Sequence, residues 1–307
     1  MNARIVAVIA TFRRPHELER LLASLQGVEL AVVCDNSGDE AIRTVAANAP
    51  LPVHYLAPGE NLGCGGGLRL AEETVLELTG GEFTHWLILD DDAVLAPDTL
   101  PALLDLLARE KADVAYPLAV GPEGLAGWPP GLKDRAQHRL DRERMSPAEY
   151  RRRFGAEVGE FWWAQGICLL ARAEAVAAAG LHRGDFWVRG EDLDFSLRLT
   201  ARGRGIFCPG IEVRHLPPDN LAPTDQRAAY LRHAAMIQNI AYLGWTRAHG
   251  APIRWSIAGA SRRFLQLWGL RAVPDLARAI FRGLRGEAAG QGRGKTFRQR
   301  FDELVRR

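Results

Sequence analysis

Short runs of consecutive apolar residues, each closed by polar or turn-forming residues, alternate along most of the chain with stretches that repeat leucine or alanine every three or four positions. The first run, Arg4-Ile5-Val6-Ala7-Val8-Ile9-Ala10, has no polar residue after its opening arginine. Such continuity marks a strand covered on both faces, as in a parallel sheet. Ala31–Cys34, Val53–Leu56, His85–Leu89, Ile167–Ala171 and Ile211–His215 read as further strands. Between them, Pro15 opens a helix whose Leu18, Leu21, Leu22 and Leu25 share one face. Helices are also expected over Leu68–Leu78, after Asp98-Thr99-Leu100, over Ala173–Ala179, and from Glu191 through Leu197, Leu199 and Thr200. This alternation predicts an α/β fold with a doubly wound, mostly parallel sheet, whose ligand crevice lies at the carboxyl ends of the strands.

Two regions depart from that rhythm. Residues 117–160 contain Pro117, Pro122, Pro129 and Pro130 and a charged helical stretch over 135–153, the pattern of a lid or variable insertion. After residue 224 the chain reads as helices. Tyr230, Leu231, Ala234, Ile237 and Ala241 mark one buried face. Val273, Leu276, Ala277, Ile280, Phe281 and Leu284 form a second stripe, with Arg271, Arg278, Arg282 and Arg285 mostly off it. The expected organisation is a domain over 1–222 and a basic helical region over 223–307. The second stripe suits either a membrane interface or packing on the first domain or a second subunit. Gly286–Lys295 is glycine-rich and expected to be mobile.

Composition narrows the class. With 307 residues, 47% hydrophobic and 25% charged, the chain can build one large core and an appendage. Its four cysteines form no Cys-x-x-Cys pair, which argues against a zinc site or a disulfide scaffold and for a reducing compartment. Met1–Arg4 lead straight into a strand too short for a signal-peptide core, and no apolar run spans a bilayer, so a cytoplasmic location is expected. The net charge of +2 is unevenly placed: residues 1–229 carry 24 Lys+Arg against 33 Asp+Glu, and residues 230–307 carry 15 against 4. A basic tail behind an acidic body favours an anionic partner surface; with no nucleic-acid reading motif, a membrane is the expectation and nucleic acid is not.

The chemistry sits where strands end. Leu89 runs into Asp90-Asp91-Asp92. Three adjacent like charges repel, so such a stretch calls for a cation, and hard divalent ions take carboxylates together with phosphates. A helix start, which also favours acids, is the plainer alternative. Gly63-Cys64-Gly65-Gly66-Gly67-Leu68 fails the dinucleotide pattern, because Leu68 stands at the last glycine position, and it has no P-loop Gly-Lys-Ser/Thr. A glycine-rich, amide-rich loop at a helix start still suits an anionic ligand; a tight turn is the alternative. Glu191 and Asp192 fall in the first turn of a helix, where they suit the dipole or serve as a general base. Trp162 and Trp163 point to opposite faces of an extended segment, so one of them can line a cleft. Val213-Arg214-His215 ends a short strand in a lone histidine.

Taken in order, Ala10-Thr11-Phe12-Arg13-Arg14, Cys34-Asp35-Asn36-Ser37, Asn61-Leu62-Gly63, the Asp triplet, Trp162-Trp163, Gly190-Glu191-Asp192-Leu193-Asp194-Phe195 and Val213-Arg214-His215 resemble the inverting family-2 glycosyltransferases of the GT-A fold. The likeness spans about residues 4–220 and is strongest to the bacterial galactofuranosyl- and rhamnosyltransferase branch. It implies a GT-A fold and a UDP- or dTDP-linked sugar donor bound by Thr11, Arg13, Asp35, Asn61, Gly63, Gly65, Gly66, Asp90 and Asp91. It further implies Mn²⁺ or Mg²⁺ held by Asp90, Asp92 and His215. Asp192 would be the general base, with Glu191 as its rival. Trp162, Trp163 and Trp187 would shape the site of a glycan or lipid-linked acceptor in cell-envelope polysaccharide synthesis. Family members often carry Trp-Asp-Asp where this chain has Gly190-Glu191-Asp192, and the Gln-x-x-Arg-Trp of processive members is reduced to Arg254-Trp255, with Ala251 at the glutamine position. Addition of one sugar or few is therefore expected. A nucleotidyltransferase and a non-catalytic anionic-surface binder are the competing expectations. The first usually has a glycine- and basic-rich loop after its first strand, and Thr11-Phe12-Arg13-Arg14 lacks the glycines.

Overall fold

The computed structural model describes residues 3–133, 145–217, 226–245 and 253–290. The chain opens with β1 (Ile5–Thr11), α1 (Pro15–Ser24), β2 (Leu30–Asp35), α2 (Glu40–Ala47) and β3 (Val53–Leu56). Asp39 caps α2, its side chain accepting the Ala41 N–H. Next come α3 (Gly63–Thr79), β4 (His85–Asp90), the short β5 (Ala93–Leu95), α4 (Thr99–Arg109) and β6 (Val114–Val120). Two-residue strands β7 (Ala126–Gly127) and β8 (Gly131–Leu132), then α5 (Pro147–Phe154) and β9 (Gly159–Trp163), occupy the stretch expected to be irregular. Of the expected charged helix, residues 147–154 form α5, and residues 134–144 lie outside the described residues. The chain continues through β10 (Cys168–Arg172), α6 (Ala173–Ala179), α7 (Glu191–Arg202), β11 (Gly205–His215), α8 (Gln226–Trp245), α9 (Ile253–Trp268) and α10 (Val273–Leu284).

The strands form one sheet in the order β3-β2-β1-β4-β10-β6-β11-β9-β8, with β5 on β11 and β7 on β6. β1 to β4 pair in parallel, as do β6 and β11; β10 runs antiparallel between β4 and β6. The central strands are apolar at every position because helices cover both faces: Ile5 to Ile9, Ala31 to Cys34 and Trp86 to Leu89 are all buried. Each large aliphatic side chain so buried contributes roughly 1.5–3 kcal/mol. Pro117 lies within β6, where the sequence suggested irregular chain. It pairs with Cys208, the last position before the β6–β11 register breaks, so its missing N–H falls at a bulge.

The expected boundary at residue 222 falls in 218–225, outside the described residues. The helices beyond it share apolar clusters with the first part of the chain. Leu231, Ala234, Ile237 and Phe264 surround Trp187 and Phe12, while Ile240 and Leu243 pack with Phe186 and Leu197. The face expected on α8 is the one buried, with Leu231, Ala234, Ile237 and Ala241 inside. On α10 the structure buries Leu276, Ala279 and Gly283 against α8 and leaves Val273 and Phe281 outside.

Candidate active site

β4 delivers Asp90 to the carboxyl edge of the sheet, and the turn after it carries Asp91 and Asp92 back toward β1 and α1. Their partners differ. Asp91 accepts the Thr11 hydroxyl at 2.7 Å on one oxygen and Arg14 Nη1 at 2.8 Å on the other. Asp92 contacts the same Arg14 nitrogen at 3.1 Å, and its other oxygen lies 2.9 Å from His215 Nε2. Asp90 is the open member, its side chain 40% exposed and one oxygen 3.9 Å from that Nε2. β5 pairs with the end of β11, placing His215 opposite Ala93 and so beside the triplet. The Trp128 ring meets the imidazole edge-on at 4.3 Å.

Burial and then the Asp92 charge push Asp90 up to about 7. Burial also raises Asp91, against the pull of Arg14. For Asp92, burial is outweighed by the close approach and charge of His215, then by Arg14, and its carboxyl stays below the usual range. Burial works to lower His215, but Asp92 prevails and raises it.

Ligand atoms of Asp90, Asp92 and His215 lie within 4.8 Å of one another. Asp92 Oδ1 is buried and, despite its closeness to His215 Nε2, lacks an aligned hydrogen bond. Two carboxylates and an imidazole converging on one point, with a buried oxygen left without a donor, fit a hard divalent cation such as Mn²⁺ or Mg²⁺.

Across the cleft, α7 starts with Glu191 and Asp192. Gly166 separates the two sides: a Cβ built there would stand 3.6 Å from Asp192 Cβ and 3.7 Å from Asp90 Oδ1. The base candidate therefore lies beside Asp90, with Gly166 between them. Asp192 is half-buried; its carboxylate accepts the Leu193 N–H at 2.7 Å, and the N–H groups of Gly166 and Gly190 lie nearby. Burial raises its pKa, and these donors, with the nearby His182, oppose the rise. Glu191 turns the other way, behind α3, against Gly65 and Cys64. Burial and the Asp192 charge push it up to about 8, and one of its oxygens is buried without a partner. The two rivals differ in surroundings: Asp192 lies beside Asp90 across Gly166, while Glu191 packs against α3 with its pKa raised.

Several expected donor contacts are turned inward. Asp35 is fully buried, and its carboxylate is saturated by Ser37 N at 2.8 Å, Ser37 Oγ at 2.5 Å, Asp39 N at 2.8 Å and the Tyr55 hydroxyl at 2.8 Å. No lone pair remains for a base or ribose, so Asp35 shapes the turn instead. Thr11 and Asp91 are likewise occupied by each other and by Arg14. Asn61 stays half-buried at the rim, its Oδ1 accepting the Gly63 N–H at 2.9 Å. The glycine run is the first turn of α3 rather than a loose loop. Gly63 (φ 74°) and Gly65 are buried where the Trp187 side chain, the Arg183 carbonyl and Glu191 approach the backbone, while Gly66 abuts Leu62. Protein, not phosphate, excludes side chains here. Arg13 remains exposed (φ 57°), its N–H on Ser37 Oγ.

Trp162 and Trp163 are both half-buried on β9, with Lys133 Nζ 5.1 Å from the Trp162 ring centroid. Trp187 is 3% exposed and wedged between α3 and α8, so it packs the interior rather than lining an acceptor surface. Sequence reasoning missed Arg14 as the counter-charge of the triplet, Trp128 beside His215, and Asn36, which bonds the Leu62 N–H and the Gly63 carbonyl. The Arg13-Arg14 doublet did signal a cation near the strand end. Which of the two turns inward depends on the left-handed backbone at Arg13, and the residue types do not carry that.

A Rossmann-like, mostly parallel sheet with an acidic cluster and a histidine at its carboxyl edge, facing a carboxylate at a helix start, defines a GT-A protein. A model of the glycosyltransferase-like family 2 matches residues 3–230, and the chain belongs to that family. Among its relatives, galactofuranosyltransferase GlfT1 of Mycobacterium tuberculosis is 28% identical over 216 residues, which span 66% of each chain. In structure the chain is similar to S. aureus TarS 1–349, with a TM-score of 0.56 at 15% identity, covering 92% of this chain and 81% of that one. The same protein in complex with UDP-GlcNAc gives a TM-score of 0.56 at 16% identity over 93% and 82%. At these identities the likeness to TarS establishes the fold.

Proposed function

We propose that this protein is an inverting, divalent-metal-dependent transferase that moves galactofuranose from a UDP-linked donor to a hydroxyl of a glycan or glycolipid acceptor in cell-envelope polysaccharide synthesis. The observation that supports this reading is the closeness of the Asp90, Asp92 and His215 cluster to Asp192, with Gly166 lying between Asp90 and Asp192. The likeness to a galactofuranosyltransferase favours that sugar over rhamnose, and the sugar nucleotide held by TarS supports a UDP donor.

Asp90, Asp92 and His215 would hold Mn²⁺ or Mg²⁺, which when bound neutralises charge on the departing diphosphate. The acceptor oxygen attacks the anomeric carbon as the carbon–oxygen bond to the diphosphate breaks on the opposite face. Asp192 takes the acceptor proton. A single displacement inverts the centre and needs no enzyme nucleophile. Arg14 offsets the charge of Asp91 and Asp92, and exposed Arg13 would meet the anionic donor. Trp162 and Trp163 offer flat faces to the acceptor sugar. The donor is tested by thermal shift and transfer across UDP-, dTDP- and GDP-sugars with and without Mn²⁺. Metal-dependent stabilisation and turnover with UDP-galactofuranose are expected; selection of a dTDP- or GDP-sugar would overturn the donor assignment.

The outer face of the C-terminal helices supports action at an anionic membrane. Leu270, Val273 and Phe281 are 82%, 42% and 58% exposed, among exposed Arg271, Arg278 and Arg285. Apolar side chains flanked by arginines suit an interface of acyl chains and anionic headgroups. Among the described residues no helix is long and apolar enough to cross a membrane, so this contact would be peripheral.

A further inference from the structure

The loop that leads into Asp192 is held in an unfavourable backbone state from outside. Trp187 (φ 60°), Arg189 (φ 60°) and Gly190 (φ 111°) all lie in the left-handed region within four residues. For the two that are not glycine this conformation is unfavourable and persists only where the surroundings enforce it. On one side α3 enforces it, the Gly65 N–H donating to the Trp187 carbonyl at 3.1 Å. On the other side stands a single fully buried side chain, Asn239 of α8.

The Asn239 amide donates to the carbonyls of Phe186 at 2.9 Å, Val188 at 3.3 Å and Arg189 at 2.9 Å. Its Oδ1 accepts the N–H of Ala289 at 2.7 Å. Residues 287–290 thus lace across α8: Gln238 Nε2 donates to the carbonyls of Glu287 and Ala288, and the Gly290 N–H donates to the Asp185 carbonyl at 2.9 Å. Arg189 C=O and Gly190 N–H belong to one peptide plane. Asn239 grips that plane by its oxygen, two residues before Asp192. The Gly190 carbonyl then accepts the Asp194 N–H at 2.9 Å and starts α7. Turning the plane would shift the first turn of the helix that carries Asp192.

We propose that Asn239 is a positioning residue for Asp192, and that through it the C-terminal helices and the 287–290 strap complete the catalytic cleft. Asn239 touches no reacting atom; it acts through the 189–190 peptide. The consequence for turnover rests on the transferase reading above, whereas the consequence for the loop does not.

Two variants of the full chain probe the contact from opposite ends. Asn239→Asp keeps an oxygen for Ala289 but turns another toward three carbonyls. Gly290→Ala leaves Asn239 intact but places a Cβ 2.6 Å from the Asp185 carbonyl, displacing the strap. In both, amide hydrogen exchange over residues 186–193 rises by about tenfold or more while the β1–β4 strands keep their protection. Affinity for UDP in Mn²⁺ stays within about twofold, and kcat falls by about ten- to hundredfold at unchanged donor KM, because a base moved by an ångström loses its attack geometry without disturbing the diphosphate site. Loop exchange unchanged in both variants overturns the proposal. So does a loosened loop with normal kcat, or a loss of rate that merely follows a lowered melting temperature. If the wild type transfers sugar from no donor, the transferase reading fails while the exchange data still judge the grip on the loop.

Discussion

Asp90, Asp91 and Asp92 are adjacent in sequence and chemically distinct in space. Asp91 faces inward to Thr11 and Arg14, Asp92 bridges Arg14 and His215, and Asp90 opens to the cleft. Protons and a metal compete for this cluster, since a ligating carboxylate and imidazole must both be deprotonated. With Asp90 pushed up to about 7 and His215 also raised, Mn²⁺ affinity tightens as pH rises from 6 to 8, with protons released on binding. Calorimetry in two buffers of different ionisation heat reads both effects; a pH-independent affinity would contradict the ligand set. Asp92→Ala weakens Mn²⁺-dependent UDP binding by at least about tenfold. The acidic cluster was legible in the sequence because a run of like charges at a strand end is a local signal, whereas Asp192 was singled out from Glu191 only by the family resemblance. The roles within the triplet were not. They depend on which neighbour each side chain meets, and Asp35 shows the same limit: a carboxylate at a strand end reads alike whether it faces a ligand or its own turn.

At the scale of elements, α3 and α7 meet at their first turns. There the Gly65 backbone abuts the Arg183 carbonyl and Glu191, where a Cβ would come within 2.9 Å and 3.2 Å. Gly65→Ala therefore destabilises the fold by about 1–3 kcal/mol, measured by denaturant unfolding. An unchanged midpoint would show that the helices can part. Glu191 at this junction holds its proton up to about 8, whereas in the unfolded chain it ionises near its ordinary 4.5. Between those values the native state binds more protons, so Glu191 makes stability fall as pH rises. Glu191→Gln removes that fall, and its melting temperature relative to wild type climbs from pH 5 to pH 8. A constant difference would mean that Glu191 is ionised in the native state. The glycine run was visible in sequence, but its reason was not: the elements that press on it come more than 100 residues later. Pro117 misled in a similar way, because the β6–β11 register break that accommodates it is a property of pairing.

For the whole molecule, the C-terminal helices both pack on the first part of the chain and present an outward surface. Their inner residues share apolar clusters with Phe12, Phe186 and Trp187. Their outer face joins Leu270, Val273 and Phe281 to arginines within a segment, residues 230–307, that carries 15 Lys+Arg against 4 Asp+Glu. Sedimentation with phosphatidylglycerol vesicles is expected, at least about tenfold weaker for Leu270→Ser/Phe281→Ser and lost in high salt. Equal binding to neutral vesicles, or self-association that the same substitutions abolish, would assign the face to a different partner. The amphipathic stripe was readable in sequence, but its division between α8 and solvent was not, because Gly283 lets α10 approach α8 closely on a side the stripe did not mark.

The central claim places a proton-accepting carboxylate opposite a cation-held diphosphate within one cavity. Its most direct test measures donor affinity and sugar transfer on the same preparations of wild type and Asp192→Asn in saturating Mn²⁺. Equal donor affinity and transfer reduced by about 10²–10⁴-fold are expected; an Asp192→Asn protein that transfers sugar at the wild-type rate would rule out Asp192 as the base.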